Sequence, residues 1–300
     1  MAGLVERIDV QASASVDPAI SEFAALLAEE SGALAVLFYG SNLRTGALEG
    51  VLDYYVLLPG NQRDRIWPRV SYREWEHWGA VLRAKIATMS LSTFAEAARG
   101  ELLDTTIWAR FVQPSALVWQ RDDDARRQTL AAVAGAAQTA ARLAVALGPE
   151  SGSADDYWRA LFRATYQAEF RVERPGREDS ILAVNAAHFD GLLPLALEAQ
   201  GIAFESSGAT IVPQLPASER GRILGWWRRR QRMGKPLNIL RLVKASTTFD
   251  GAARYAAWKI ERHTGVPVEV TPWRERHPVL AAPAVLWQVW RAQRKRGPHA

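Results

Sequence analysis

Two apolar runs constrain this chain more than anything else in it: "ALAVLFYG", residues 33–40, and "GVLDYYVLLPG", residues 50–60. Both are short, rich in branched and aromatic residues, and bounded by Gly or Pro-Gly, so both read as buried strands. Before them, Ile20, Phe23, Leu26 and Leu27 recur at helical spacing, and Ser31-Gly32 is a stop signal, so residues 18–31 read as a helix. Residues 61–82 are polar and aromatic without a clear period, which predicts a loop and a short helix over an edge of the sheet. "AKIATMSL" predicts a third strand, "STFAEAARGELLD" a helix capped by Ser92 or Thr93, and "SALVW" a fourth strand.

A composition change at "QRDDDARR" marks a boundary. Beyond it, residues 124–147 read as a long alanine-rich helix ended by Gly148-Pro149. Ser153 and Asp156 then resemble a capping box with Asp in place of Glu. With 300 residues, 48% of them hydrophobic, the chain can bury a substantial core and hold more than one domain. The expected division is 1–122, a helical domain over 123–205, and a basic region over 206–300. There is no cysteine, which excludes disulfides and thiolate metal sites or nucleophiles. The first 20 residues lack a basic segment followed by an apolar one, so no secretory signal is expected. No apolar run approaches the roughly 18 residues of a membrane span, and the expected location is cytoplasmic. The histidines show no zinc-ligand spacing.

Charge is unevenly distributed. Residues 201–300 carry 18 Lys and Arg against 6 Asp and Glu, leaving 19 and 26 of the chain's 37 and 32 for the first two thirds. A segregated positive region suits a polyanion, either nucleic acid or an anionic membrane. Two stretches combine this charge with tryptophan: "RGRILGWWRRRQRMGKP", residues 220–236, and "APAVLWQVWRAQRKRG", residues 282–297. In the second, Val285, Leu286, Val289 and Trp290 lie within a turn of one another with Arg291 to Arg296 beyond, a pattern that suits an interfacial helix.

The chemistry is concentrated in the opening runs. A strand that ends in Gly40-Ser41 can bring backbone N–H groups close to a phosphate, and Ser41 adds a hydroxyl. Asp53 stands in an otherwise apolar strand, where an ionised carboxylate is costly unless a metal or a hydrogen-bond network meets it. Magnesium, which prefers carboxylate and phosphate oxygens, is the economical match. Gly-Ser, about a dozen residues, then an acid within an apolar strand resembles the entry signature of the DNA polymerase beta-type nucleotidyltransferases. That superfamily commonly places a second carboxylate two residues on; here Tyr55 occupies the position.

The order of further segments resembles the mitochondrial translocator assembly and maintenance family, the peripheral phosphatidate cytidylyltransferases. The resemblance runs through "YGS" at 39–41, "LDYY" at 52–55, "KIATMSLSTFAEAARGELL", "IWARFVQPSALV" with Gln113 in place of a lysine, "ATYQAEFRV", and more weakly "RLVKASTTFDGAARYAAWKI". "YREWEHWG", with Trp75, His77 and Trp78, departs from that family's arrangement of Trp and His. The implied fold is α+β: a nucleotidyltransferase-type mixed sheet with flanking helices, then a helical, winged-helix-like domain and the basic C-terminal region. The implied reaction is magnesium-dependent transfer of a cytidylyl group from CTP to phosphatidate, which gives CDP-diacylglycerol at a membrane surface.

In that scheme Asp53 holds the metal, and Gly40, Ser41 and Asn42 cradle the nucleotide phosphates. Lys85 and Arg110 offset the negative charge. Glu169 supplies the missing carboxylate or orients Arg171, and Tyr166 with Arg171 receives the acceptor. The alternatives are a nucleotidyltransferase with a soluble or RNA acceptor, and an inactive protein that binds membrane or nucleic acid.

Overall fold

The protein is described here by a computed structural model that covers residues 2–168, 177–248 and 251–296. It is α+β, with 58% helix and 18% strand. The first part runs α1 (Ala2–Ala12), α2 (Pro18–Ser31), β1 (Ala35–Tyr39), α3 (Ser41–Thr45), β2 (Leu52–Leu58), β3 (Arg69–His77), β4 (Ala80–Ser90), α4 (Leu91–Ala98), α5 (Thr106–Phe111) and β5 (Ser115–Gln120). The second runs α6 (Asp123–Leu147), β6 (Gly152–Ser153), α7 (Ala154–Ala168), α8 (Arg177–Val184), α9 (Ala186–Phe189), α10 (Leu192–Glu198), β7 (Phe204–Ser207) and β8 (Thr210–Pro213). Four helices follow: α11 (Ala217–Thr248), α12 (Ala252–Thr264), α13 (Pro272–Arg276) and α14 (Pro278–Arg296).

The main sheet has the order β3-β4-β2-β1-β5. β2 and β4 are parallel and every other pair is antiparallel, because β4 inserts between β2 and β3. All five residues of β1 are buried, as its unbroken apolar run requires, since helices cover both faces of the sheet. On one face Val36, Phe38, Leu52, Tyr54 and Val56 pack with Ile20, Phe23 and Leu27 of α2. Each fully buried side chain of this size contributes about 1.5–3 kcal/mol. α2 is held at its start by the Asp17 carboxylate, which accepts from Ala19 N at 2.9 Å, and at its end by Gly32 at φ 64°. On the other face Leu37, Tyr39, Tyr55, Leu57, Ala87 and Met89 meet α4, α5 and α6.

Residues 61–82 form no short helix. Residues 61–68 are loop, as expected, but in place of the short helix Arg69–His77 forms β3, joined to β4 by a tight turn with Trp78 at φ 47° and Gly79 at φ 76°. β3 is an edge strand whose amphipathic side chains hide its alternation. Trp75 lies 5.1 Å from Phe23, Glu74 meets Arg83 on β4 at 3.3 Å, and Arg73 pairs with Glu30. The α4 cap also differs: Ser90 rather than Ser92 or Thr93 accepts from Thr93 N, at 3.3 Å.

α6 begins as its acids dictate, with the Asp122 side chain accepting from Ala125 N at 2.7 Å. An 18-residue window of α6 has mean hydropathy 1.5, so one straight helix among the described residues is long and apolar enough to cross a membrane, contrary to the sequence expectation. It is a core helix, with 78% of that window buried inside the protein. The capping box at α7 is reciprocal: Ser153 N donates to Asp156 Oδ2 at 2.9 Å and Asp156 N to Ser153 Oγ at 3.3 Å. Tyr157 ties α7 to a small sheet of order β6-β8-β7 by donating to Ile211 O at 2.9 Å. One hydrophobic cluster runs from Leu4 on α1 through the sheet and α6 to Trp227 on α11, so it is continuous across residues 122–123.

The WWRRR stretch is docked through Trp226, Trp227 and Arg230, while Arg228 and Arg229 are exposed. Trp227 is buried, and Trp226 donates from Nε1 to Gly100 O at 3.1 Å. Arg230 donates to Gly100 O at 2.6 Å and to Leu102 O at 2.8 Å while its guanidinium lies 3.9 Å from the Trp226 ring centroid. Further along α11, Arg241 pairs with Asp104 and Lys244 with Asp64, so the helix straps the connection between β2 and β3 and the start of α5. α12 covers β3 through Tyr255, 5.3 Å from Tyr72.

Candidate functional site

Strand register brings the sequence candidates together. Ser115 on β5, Tyr39 on β1, Asp53 on β2, Lys85 on β4 and Tyr72 on β3 are successive cross-strand partners, one row that spans the sheet on the α4–α5 face. Arg110 reaches this row from α5, with its guanidinium 5.0 Å from the Tyr39 ring centroid.

The Gly-Ser turn after β1 is shaped around the acid. Gly40 has φ 94° and ψ −160°, a conformation essentially reserved for glycine, and a Cβ there would stand 3.0 Å from Asp53 Oδ2. The side chain of Asp53 therefore packs directly against the turn. Ser41 begins α3 with its side chain exposed. Asn42 is buried and donates from Nδ2 to Ala47 O and Glu49 O, both at 2.8 Å, which shapes the connection from α3 to β2. Its amide nitrogen is thus committed to the loop, and the exposed hydroxyl at this turn is that of Ser41.

Burial pushes the Asp53 carboxyl above its ordinary range, and the positive charges of Lys85 and Arg110 pull it partway back. Burial likewise raises the Tyr39 hydroxyl, with Arg110 opposing and Asp53 adding to the rise. Tyr55, where a second acid would stand, is part of the core. Its ring lies 5.2 Å from Phe111, 5.8 Å from Phe94 and 6.1 Å from Tyr39, and burial raises its hydroxyl strongly. An ionised carboxylate there would face those aromatic rings instead of the row that holds Lys85.

No cluster of three or more His, Asp or Glu suited to a metal ion occurs among the described residues. The Asp53 carboxylate alone could ligate a magnesium ion, which would take its remaining ligands from water and substrate phosphate, while Lys85 and Arg110 beside it are cations that would pair with the phosphates rather than the metal. One carboxylate is not a cage for two ions. Glu169 and Arg171 lie outside the described residues. Tyr166 is half-buried on α7 against the main core. α7 ends beside α11 so closely that a Cβ on Gly234 would stand 2.4 Å from Ala168 O. Gln113 donates to Ala109 O at 3.1 Å and closes its own helix. Tyr72 belongs to the row and went unread because β3 went unread.

The C-terminal surface divides by face. Ala281, Val285 and Val289 of α14 are turned inward, the latter two packing with Val266 and Ile260, so the valines expected at a membrane interface are docked on this protein. Trp273, Leu280, Trp287 and Trp290 are 55%, 68%, 58% and 48% exposed, and the Arg291 guanidinium lies 5.2 Å from the Trp287 ring.

No protein-family model matches this chain, and no curated protein matches it.

Proposed function

We propose that the protein is a magnesium-dependent nucleotidyltransferase that moves the cytidylyl group of CTP onto phosphatidate at a membrane surface. The observation that carries this reading is the single half-buried acid, Asp53, packed against the Gly40 turn and flanked by Lys85 and Arg110.

Consider what each acceptor would require. A hydroxyl nucleophile arrives protonated, and a polymerase-type site answers with a second acid and a second metal ion. A phosphate monoester loses its second proton with a pKa of about 6 and arrives already ionised near neutral pH. It needs no general base, only positioning and cancellation of charge. One acid with two cations, and an aromatic core at the second-acid position, suits that acceptor.

In the proposed reaction an oxygen of the acceptor phosphate attacks the α-phosphorus of CTP. The new P–O bond forms as the α–β anhydride bond breaks, and pyrophosphate leaves with its electron pair. Ser41 offers its hydroxyl to the triphosphate at the Gly40 turn. Lys85 and Arg110 neutralise charge between two polyanions that would otherwise repel, and the Tyr39 ring holds the Arg110 guanidinium in place. Asp53 would hold the magnesium ion that neutralises and orients the triphosphate. Lys85, Arg110 and Asp53 stand in the roles given them by the family resemblance, and Arg171 and Glu169 keep their proposed roles in acceptor binding and metal binding. The tryptophans at 273, 287 and 290, with Arg291 beside them, suit a headgroup-level contact with anionic lipid.

The test is incubation with labelled CTP, magnesium and phosphatidate-bearing liposomes. CDP-diacylglycerol should form and should vanish with Asp53→Ala. Transfer to RNA or to a soluble hydroxyl acceptor, or to no acceptor at all, would refute the proposal.

A further inference from the structure

Beyond the row that holds Asp53, the same face of the sheet continues into a cavity of about 350 Å³ between the connection into β2, the β3–β4 turn and α12. Its walls include Glu49, Gly50, Arg83, Trp258 and Arg262. Arg83 lies two residues before Lys85 on β4, so both side chains leave the sheet on the same side, roughly 7 Å apart along the strand. The guanidinium groups of Arg83 and Arg262 lie 5.6 Å and 5.2 Å from the Trp258 ring centroid, and Tyr255 stacks beside it with ring centroids 6.4 Å apart.

Three features define what this cavity can hold. First, Trp258 already has two guanidinium groups and a tyrosine around its ring, so the chemistry presented is positive charge rather than a bare platform for a base. Second, the charge is only partly answered from within the protein. Arg83 Nε sits 3.3 Å from Glu74 yet is buried without a hydrogen bond, and Arg262 has no carboxylate partner among the described residues. Third, Gly50 permits the approach of Arg262, whose Nη1 would lie 3.2 Å from a Cβ at that position. Two arginines held on one ring, with donors to spare, match the geometry of a dianionic phosphate, which guanidinium groups bind through paired N–H donors.

We propose that the Arg83–Trp258–Arg262 cavity receives the phosphate monoester of the acceptor and presents it to the site at Asp53 and Lys85. This rests on the transferase reading above and deepens it, because it gives the acceptor headgroup a subsite on β4 and α12, separate from Tyr166 and Arg171. The chemistry is shared by a lipid phosphate and a soluble phosphomonoester. A lipid would add its acyl chains outside the cavity.

The test uses the full-length chain and measures binding directly, so that it does not depend on catalysis. Calorimetric titrations with glycerol 3-phosphate, with short-chain soluble phosphatidate, and with magnesium-CTP would be run on the wild type and on Arg262→Gln, Arg83→Gln and Asp53→Asn. Arg262 is exposed on α12, so its replacement should leave the melting curve unchanged and keep the result interpretable if Arg83→Gln folds poorly. The expected result is at least a tenfold loss of phosphomonoester affinity in Arg262→Gln with magnesium-CTP affinity unchanged, and retention of phosphomonoester binding in Asp53→Asn. Equal loss for glycerol 3-phosphate and short-chain phosphatidate assigns recognition to the phosphate itself, whereas a loss confined to phosphatidate assigns it to the lipid; both support the subsite. Loss of magnesium-CTP binding instead, or unchanged phosphomonoester affinity in Arg262→Gln, overturns it. Absence of cytidylyl transfer in the wild type, alongside intact Arg262-dependent phosphate binding, would refute the reaction while leaving the subsite standing.

Discussion

Replacing Gly40 by Ala tests whether the turn and the acid are built as one unit. The backbone at φ 94° and ψ −160° belongs to a region that non-glycine residues occupy at a cost of about 1–3 kcal/mol. The new methyl group would also stand 3.0 Å from Asp53 Oδ2, tighter than an ordinary contact, so the carboxylate must yield by a few tenths of an ångström. For 300 residues the unfolding entropy is about 0.6 kcal/mol per degree, so that backbone cost lowers the melting temperature by about 2–5 °C. Displacement of the acid should also slow cytidylyl transfer by about tenfold, since a misplacement of about 1 Å can cost a hundredfold.

The two effects separate in an Asp53→Ala background. Removing the carboxylate gives the Gly40→Ala methyl room, so its destabilisation should shrink there while the backbone part persists, a measurable coupling between adjacent sites. The assay is thermal unfolding followed by circular dichroism on the four proteins of the cycle, with transfer rates for the two that keep Asp53. A Gly40→Ala protein that melts within 1 °C of the wild type and transfers at full rate would refute both the positive φ at Gly40 and the packing of Asp53 against it.

Other outcomes follow from the same physical terms. Burial raises the Asp53 carboxyl pKa, so the folded state binds its proton more tightly than the unfolded state does, and ionisation of this group removes stability as pH rises. Asp53→Asn should therefore melt no lower than the wild type at pH 7 while losing transfer, with its advantage narrowing toward pH 4; a clear destabilisation at pH 7 would mean that Lys85 and Arg110 outweigh burial. His188 is half-buried, with Nε2–H donating to Val112 O at 2.8 Å, and desolvation pushes its pKa down to about 4 from 6.5. Stability due to neutral His188 is thus complete above pH 6.5 and lost as pH falls toward 4, at most about 3 kcal/mol; His188→Gln should flatten that acid limb in urea titrations, and an unchanged slope would assign it elsewhere. Trp273→Ala, Trp287→Ala and Trp290→Ala together should abolish sedimentation with anionic liposomes at little cost in melting temperature, because each is about half exposed or more. That triple variant is a cleaner probe than removal of residues 278–296, which would also strip Val285 and Val289 from their packing with Val266 and Ile260.

The sheet was legible where burial is two-sided. β1 and β2 have apolar side chains on both faces, so their runs stand out without any alternation, and α2 shows its apolar stripe because its other face is wet. β3 was hidden by its position. As an edge strand it carries Tyr72, Arg73, Glu74 and Trp75 in succession, with partners on α12, α2, β4 and α2 in turn, and no period survives such demands. The basic aromatic stretches failed for a related reason. In α11, Trp226, Trp227 and Arg230 face inward while Arg228, Arg229 and Arg232 face out, so both sides are cationic and composition cannot tell docking from display. In α14, which apolar residues turn inward depends on where α12 lies.

For the site, the sequence spacing from Gly40 to Asp53 identified the pair that packs together, because only a short turn and α3 separate them. Lys85 and Arg110 entered through family resemblance, and what places them is three-dimensional: Lys85 is the register partner of Asp53 across two parallel strands, and Arg110 comes from a helix on the other side of Tyr39. The meaning of Tyr55 was unreadable in the same way. Two residues after Asp53 the strand still presents the same face, so alternation alone would put an acid and a tyrosine at 55 in the same direction. The difference is depth: Phe94 and Phe111 close over position 55 but not over position 53, where Lys85 and Arg110 supply the charge. The sheet thus changes from a charged, half-buried position to aromatic core within one two-residue step. In the proposed reaction that boundary holds one acid, and Lys85 and Arg110 do the rest of the electrostatic work. That distribution of charge favours an acceptor that arrives already ionised.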